Sequence, residues 1–317
     1  MKLVTYLRDS HVRLGAVKED HVVDLASAAM DVGRLLPSSM LDLLAGGEAA
    51  METARAVVAL ADLDAPYSAP VSSVRLLAPV PRPPSMRDGY AFRQHVETAR
   101  RNRGVEMIPE FDEFPVFYFT NHNAVFGPGR VPVRELHLGK LDFELECAVV
   151  IGKGGRDIRA SKADAHIAGY TIMNDLSARV LQMQEMKLSL GPAKGKDFAT
   201  VLGPYLVTPD ELADRRVPGP QGDRYDLEMT AAVNGKLVSR DTLAHMNWTF
   251  AQIIERASYG VDLYPGDVIG SGTCGTGCFL ELNGSKVTND QWLRPGDRVE
   301  LTIAKLGTLV TEIALVP

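Results

Sequence analysis

Residues 141–152, LDFELECAVVIG, constrain the fold more than any other stretch of the chain. The run is short, rich in Val, Ile, Leu and Phe, and closed by Gly152, which predicts a β-strand. Side chains alternate along a strand, so Asp142, Glu144 and Glu146 fall on one face and Phe143, Leu145 and Cys147 on the other. An antiparallel strand with one wet face is the commoner source of such a pattern. Here Ala148, Val149, Val150 and Ile151 follow, apolar on both faces, so the strand is expected to enter the core. Carboxylates at the mouth of a buried strand repel one another and need compensation. A divalent cation would supply it if the rest of the chain adds ligands.

With 317 residues, 45% hydrophobic and 23% charged, the chain has the composition of an ordinary globular protein, long enough for a sizeable core and about two domains. A net charge of −6 argues against a nucleic-acid partner, which would call for a basic patch. The start MKLVTYLRDSH carries no long apolar run, and no stretch approaches membrane-spanning length, so a cytoplasmic protein with no membrane partner is expected. Three cysteines are too few for a disulfide framework. Cys274 and Cys278 lack a second pair to complete a zinc site and read as small packing residues in a Gly-rich turn.

The chain divides near residue 80. KLVTYL and RLGAVKEDHVVDL predict strands, and residues 40–63 a helix interrupted at Gly46 and Gly47. A Pro- and Ser-rich stretch then reads as an extended connector. Beyond it short apolar runs dominate. YDLEMTAAVNGKLVS is a strand, an Asn-Gly turn and a strand, the strongest short hairpin signal. PGDVIGSG and RPGDRVELTIAKLGTLVTEIALV add strands. Helices are expected from Val96, in NDLSARVLQMQEMKL and in TLAHMNWTFAQIIERAS; FLELNG reads as a strand before an Asn-Gly turn. The fold class is therefore mostly β with a few helices (α+β), divided into a small N-terminal domain, 1–75, and a larger domain, 76–317.

Two further segments offer ligands. SMRDGYAFRQHVETARR places Asp88 and His95 at a loop-to-helix junction, and TIMNDLSARVLQ places Asp175 at the end of a strand-like run. Taken singly, each acid is as well explained by a helix cap or a solvated charge. Taken together, four carboxylates with no nitrogen or sulfur partner suit a hard cation such as Mg²⁺, Mn²⁺ or Ca²⁺ rather than zinc.

The ordered set DGYAFRQH (88–95), DFELECAVVIG (142–152), GYTIMNDLSARVLQ (169–182), GKDFAT (195–200), PGDVIGSGT (265–273) and FLELNG (279–284) resembles the fumarylacetoacetate hydrolase family over nearly all of the larger region. The resemblance implies a rolled mixed β-sheet of the fumarylacetoacetase C-terminal type and a homodimer. It implies metal ligands at Asp88, Glu144, Glu146 and Asp175, with Mg²⁺ expected, and leaves Asp142 a neighbour or an exposed charge. It implies a catalytic His95 oriented by Glu281 through water. Lys196, Arg179 and Gln182 would hold the substrate or its developing charge, and Tyr90, Tyr118 and Thr273 would contact it. The chain departs from fumarylacetoacetase in one extra residue between Asp175 and Lys196 and in a shorter turn, CGTGC, before Glu281. That enzyme's further substrate-binding arginine has no match beyond the nearby Arg100, Arg101 and Arg103.

The expected chemistry follows from these residue types. A 1,3-dicarbonyl or acylpyruvate presents two oxygens to a divalent ion. His95 would take a proton from water, Glu281 would orient the imidazole, and Lys196 with Arg179 would stabilise an enolate. The reading is a hydrolase that cleaves a C–C bond in a small keto acid or diketone. A decarboxylase, hydratase or isomerase of a small 2-keto acid is the alternative on the same scaffold.

Overall fold

The computed structural model describes residues 1–102 and 104–317, so Arg103 lies outside the described residues. In chain order the main strands are β1 (Lys2–Arg8), β2 (His11–Lys18), β3 (His21–Asp24), β4 (Ser68–Pro70), β5 (Met86–Gly89), β6 (Phe117–Phe119), β7 (Gly129–Val133), β8 (Leu145–Ile151), β9 (Ile167–Asp175), β10 (Thr200–Val207), β11 (Glu228–Val233), β12 (Lys236–Thr242), β13 (Val268–Gly270), β14 (Arg298–Ile303) and β15 (Gly307–Leu315). The helices are α1 (Leu25–Asp31), α2 (Met40–Ala45), α3 (Gly47–Leu60), α4 (Arg93–Asn102), α5 (Ala160–Ala163), α6 (Arg179–Met186), α7 (Phe250–Ser258) and α8 (Phe279–Gly284).

One large sheet runs in the order β4-β3-β2-β1-β10-β9-β8-β13-β5-β6. A second runs β12-β11-β14-β15-β7. Both are mixed: β13 pairs with β5, and β15 with β7, in parallel, while the other neighbours along these paths are antiparallel. The α+β class and mixed sheets expected from the sequence are present. The N-terminal strands are not detached from the rest, because β1 pairs with β10 through Lys2↔Val207 and Leu3↔Leu206.

Strand β8 shows why the large sheet sits in the middle. Its odd residues Leu145, Cys147, Val149 and Ile151 pack in a core shared with Met229 and Ala231 of β11 and Val299 and Leu301 of β14. Ala148 and Val150 pack in another, with Leu3, Leu43, Leu44 and Met51. Apolar residues on both faces thus bury the strand between the second sheet and α2–α3. Each such Val or Leu contributes about 1.5–3 kcal/mol of transfer free energy. The Asn-Gly turn joins β11 to β12 with φ of +52° and +78° at Asn234 and Gly235, both in the left-handed region that such a tight hairpin requires.

Two expectations change. The stretch 141–152 is not one strand: Leu141–Asp142 pairs separately with Ser177–Ala178, and β8 starts only at Leu145. The break lies where backbone N–H groups find other acceptors. The N–H of Phe143 donates to Asp142 Oδ1 (2.9 Å), that of Glu144 to Asn174 Oδ1 (3.1 Å) and that of Leu145 to the Gly277 carbonyl (2.9 Å). FLELNG is the helix α8, not a strand. Its first N–H groups are held by a carboxylate distant in sequence: Phe279 N and Leu280 N donate to Asp142 Oδ1 (2.7 Å) and Oδ2 (2.9 Å).

Candidate functional site

A cavity of about 1080 Å³ opens at the ends of β5 and β8 and is flanked by α4 and α6. Asp88, Tyr90, His95, Tyr118, Glu144, Glu146, Arg179, Gln182, Lys196 and Thr273 all line it. Asp175 and Glu281 lie just behind, reached through Tyr118 and His95. All twelve residues singled out in the sequence therefore meet at one place.

The floor is dense in charge. Donor oxygens of Asp88, Glu144 and Glu146 lie within 4.8 Å of one another. Lys196 Nζ donates to Glu144 Oε2 (2.5 Å) and Asp175 Oδ2 (2.7 Å), and the Tyr118 hydroxyl donates to the same Asp175 oxygen (2.6 Å). Arg179 Nη2 donates to Glu144 Oε1 (2.8 Å) and to Asp142 Oδ2 (2.7 Å), and Nη1 to Gln182 Oε1 (3.0 Å). Asp88 needs glycine neighbours. A Cβ at Gly270 would collide with its carboxylate, and Gly272, at φ +76°, donates its N–H to Asp88 Oδ1 (3.1 Å).

Among five buried carboxylates, Asp88, Asp142, Glu144, Glu146 and Asp175, the two cations Lys196 and Arg179 form ion pairs with three, Asp142, Glu144 and Asp175. The carboxylates respond unequally. Burial opposes ionisation of Glu144, but Lys196 and Arg179 outweigh it and hold this acid down at about 2. Burial, then the charge of Asp175, pushes Asp88 up to about 7. Burial, then Asp88 and Glu144, pushes Glu146 well above the usual carboxylate range. Glu146 Oε2 and Asp175 Oδ1 are buried with no hydrogen-bond partner among the described residues. The floor is short of positive charge and of donors.

The other wall is simpler. His95, in the first turn of α4, donates Nδ1–H to Glu281 Oε2 at 2.7 Å; both side chains are buried. The contact is direct, whereas the sequence suggested a water between them. Tyr90 meets the imidazole edge-on at 5.9 Å between ring centroids. Asn102 ties the end of α4 to α8 through the Glu281 carbonyl and Ser285 Oγ, each at 3.3 Å.

Asp142, left undecided by the sequence, is fully buried. Its carboxylate accepts from Arg179 Nε (2.9 Å) and Nη2 (2.7 Å) and from the first N–H groups of α8. It joins the charged floor to the helix that carries Glu281. The strand alternation that marked it is undone by the break at Phe143, so no local signal could have given this role. Cys274 and Cys278 are buried, reduced thiols, as expected of packing residues. The Cys278 sulfur also lies within 4.8 Å of ligand atoms of His95 and Glu281, a proximity the C-x3-C spacing did not suggest.

The constellation sets buried carboxylates that could hold a metal ion beside a buried His–Glu pair, and the comparisons with known proteins give its family. Residues 85–314 match the model of the fumarylacetoacetate (FAA) hydrolase C-terminal family, to which the chain belongs. It is 32% identical over 321 residues to oxaloacetate tautomerase Fahd2a, mitochondrial, of Rattus norvegicus, covering 99% of this chain and 91% of that one. It is 30% identical over 325 residues to oxaloacetate tautomerase YisK of Bacillus subtilis (strain 168), covering 99% and 100%. Among solved structures, a fumarylacetoacetate hydrolase from psychrophilic Exiguobacterium antarcticum superposes with a TM-score of 0.75 at 26% identity, and a putative HpcE protein from Mycobacterium smegmatis with 0.75 at 28%, each over 100% of both chains. No helix among the described residues is long and apolar enough to cross a membrane.

Proposed function

We propose that the chain catalyses keto–enol tautomerisation of a small β-oxo acid of the oxaloacetate type, with a divalent cation as cofactor. The observation that carries this reading is the His95–Glu281 pair, 2.7 Å apart and buried, on the wall of the cavity whose floor holds the carboxylates. Tautomerisation moves one proton between a carbon and an oxygen two atoms away, and one positioned base suffices for it. The relatives named as oxaloacetate tautomerases support the same reading and shift the weight away from hydrolysis, the activity expected from the sequence.

The residues fit a metal. Five carboxylates against two cations leave a charge deficit, and the unpartnered Glu146 Oε2 and Asp175 Oδ1 are the donor type a hard cation takes. Asp88, Glu144 and Glu146 would hold it, with Asp175 behind them. When bound, such an ion supplies Lewis acidity to the oxygens of an oxo acid. The chain's own residues do the rest. Glu281 accepts from His95 Nδ1–H and so leaves Nε2 as the nitrogen that takes the proton from C3 of the keto form. The same nitrogen returns the proton to the C2 oxygen, giving the enol with no change in composition. Arg179 and Lys196 bring positive charge to the cavity in which the enolate forms.

Hydrolytic C–C cleavage is the second reading, favoured by the same pair, since a base that takes a proton from carbon can take one from water. The two are separated by product. Oxaloacetate is incubated with the protein and Mg²⁺ or Mn²⁺ in D₂O, following enol absorbance and the C3 proton signal, and an acylpyruvate is assayed in parallel for fragments. Faster enol–keto interconversion with deuterium entering C3 and no fragments is expected. Fragments without accelerated interconversion would replace the proposal with the hydrolase.

A further inference from the structure

The wall opposite the carboxylate floor holds a second set of metal-ligating side chains. His95, Cys278 and Glu281 each place one donor atom within 4.8 Å of the others, and all three residues are buried. Two elements bring them together. Cys278 is the last residue before α8 and Glu281 stands three residues on, the spacing at which a cap residue and the third helical residue face each other. His95 lies in the first turn of α4, which Asn102 ties to α8 through the Glu281 carbonyl. The Glu281 carboxylate already meets His95 Nδ1 at 2.7 Å.

Wall and floor differ in donor chemistry. Asp88, Glu144 and Glu146 offer oxygen alone, whereas the wall offers one nitrogen, one sulfur and one oxygen. Oxygen donors suit Mg²⁺; imidazole and thiolate suit zinc. Tetrahedral zinc, with bonds of about 2.0–2.3 Å, spaces its donors by about 3.5 Å. The wall needs only local adjustment to reach that spacing: the 2.7 Å contact lengthens and the sulfur closes in. Three protein donors leave the fourth position to water. His95 lines the cavity, so an ion entering it meets the imidazole first. Burial, then the charge of Asp142, pushes the Cys278 thiol well above its ordinary range. Without metal it is therefore a poor nucleophile, and zinc would displace its proton to solvent.

We propose that His95, Cys278 and Glu281 form a zinc site, separate from the floor, whose occupation stops turnover. The site rests on the donor set and its geometry; its effect on turnover rests on His95 being the base of the proposed tautomerisation. Zinc on Nε2 occupies the nitrogen that takes the proton. Zinc on Nδ1 displaces the Glu281 hydrogen bond and leaves the neutral ring's proton on Nε2, which then has no lone pair to accept another. Either way the base is lost, and Mg²⁺ at the floor does not restore it.

The test titrates Mg²⁺-saturated protein with Zn²⁺ against a chromophoric chelator. A parallel titration uses Co²⁺ as a stand-in whose bond to a thiolate gives a near-ultraviolet charge-transfer band. One further ion per chain, and the band, are expected. Cys278→Ser should abolish the band and weaken zinc binding at least tenfold; Cys278→Ala gives the same reading if the serine variant folds poorly. Cys274→Ser, which alters a buried thiol outside the triad, should keep both. With oxaloacetate, Zn²⁺ should slow enol–keto interconversion at least tenfold, reversed by a chelator and not by excess Mg²⁺. Measured against its own zinc-free rate, Cys278→Ser should resist this inhibition. No band in the parent, or zinc affinity unchanged in Cys278→Ser, overturns the site. Zinc displaced by excess Mg²⁺ belongs to the floor and overturns it too. Zinc bound through Cys278 with turnover unaffected keeps the site and overturns the inhibition. If the parent does not interconvert oxaloacetate at all, the tautomerase reading and the inhibition fall together, while the band still decides the site.

Discussion

On one side of the cavity Asp88, Glu144, Glu146 and Asp175 crowd around Lys196 and Arg179; on the other, His95 and Glu281 form a single buried pair. The two sides are built from different material. Glu146, Asp88 and Asp175 belong to β8, β5 and β9, adjoining or neighbouring strands of the central sheet, and their backbones are fixed by ladder hydrogen bonds. His95 and Glu281 stand on two short helices held together by Asn102. A sheet can force like charges together because its main chain does not yield, and the resulting repulsion becomes affinity for a cation. The pair on the helices makes its own direct hydrogen bond, separate from the ion pairs of the floor. On the proposed reading, binding falls to the sheet and proton movement to the helices.

The largest effect should come from removing a cation from the floor. Lys196→Met keeps the length of the side chain but strips Glu144 and Asp175 of the ammonium that bridges them. Uncompensated buried charge costs about 3–5 kcal/mol, so the urea midpoint of the metal-free variant should fall accordingly. Added Mg²⁺ should restore more stability to the variant than to the parent, because the floor is then more negative. Equal stability with and without Lys196 would show that the floor is not held under repulsion, and the contrast between the two sides would lose its basis.

The second prediction tests the independence of the pair. His95→Ala should reduce kcat by roughly 10²–10⁴-fold, the usual contribution of a positioned base. Mg²⁺ affinity, measured by calorimetry, should stay close to the parent's, since the imidazole is not among the oxygen donors. Glu281→Gln should impair the same step, and the double variant should lose little beyond the worse single one, because residues acting as a unit are non-additive. A marked loss of metal affinity in His95→Ala would join the two sides into one.

How far these features were legible depended on where their cause lay. The turn at Asn234–Gly235 was readable because its requirement, positive φ at two positions, is local. The burial of β8 was readable because both faces of the run are apolar. FLELNG was misread because six residues are too few to show a helical period, and Phe, Leu and Leu suit a buried strand as well. What makes it a helix is Asp142, more than a hundred residues away in sequence, which accepts its first N–H groups. The Pro-rich connector marked a change in composition, but pairing of β1 with β10 is a long-range contact that no local pattern encodes. The site residues were legible as an ordered set of motifs, and their convergence in one cavity was not readable from any one of them.

The smallest of the three effects should fall on the residue that joins the two sides. Asp142 accepts five hydrogen bonds: from Phe143 N, Phe279 N and Leu280 N, and from Arg179 Nε and Nη2. An asparagine has one acceptor oxygen, and its amide would turn N–H groups toward either the guanidinium or the start of α8. Arg179 still has Glu144 and Gln182, so the guanidinium is not abandoned. The side that loses its acceptor is then the α8 terminus, and with it the placement of Glu281 against His95. Asp142→Asn should cost about 1–3 kcal/mol of stability, the penalty for buried donors left unmet. It should also lower kcat by roughly tenfold through misplacement of the pair, with KM and Mg²⁺ affinity changed less. Steady-state kinetics and metal titration on the same preparation decide the matter. If kcat is untouched while metal affinity falls, Asp142 serves the floor alone, and the two sides of the cavity are not mechanically coupled.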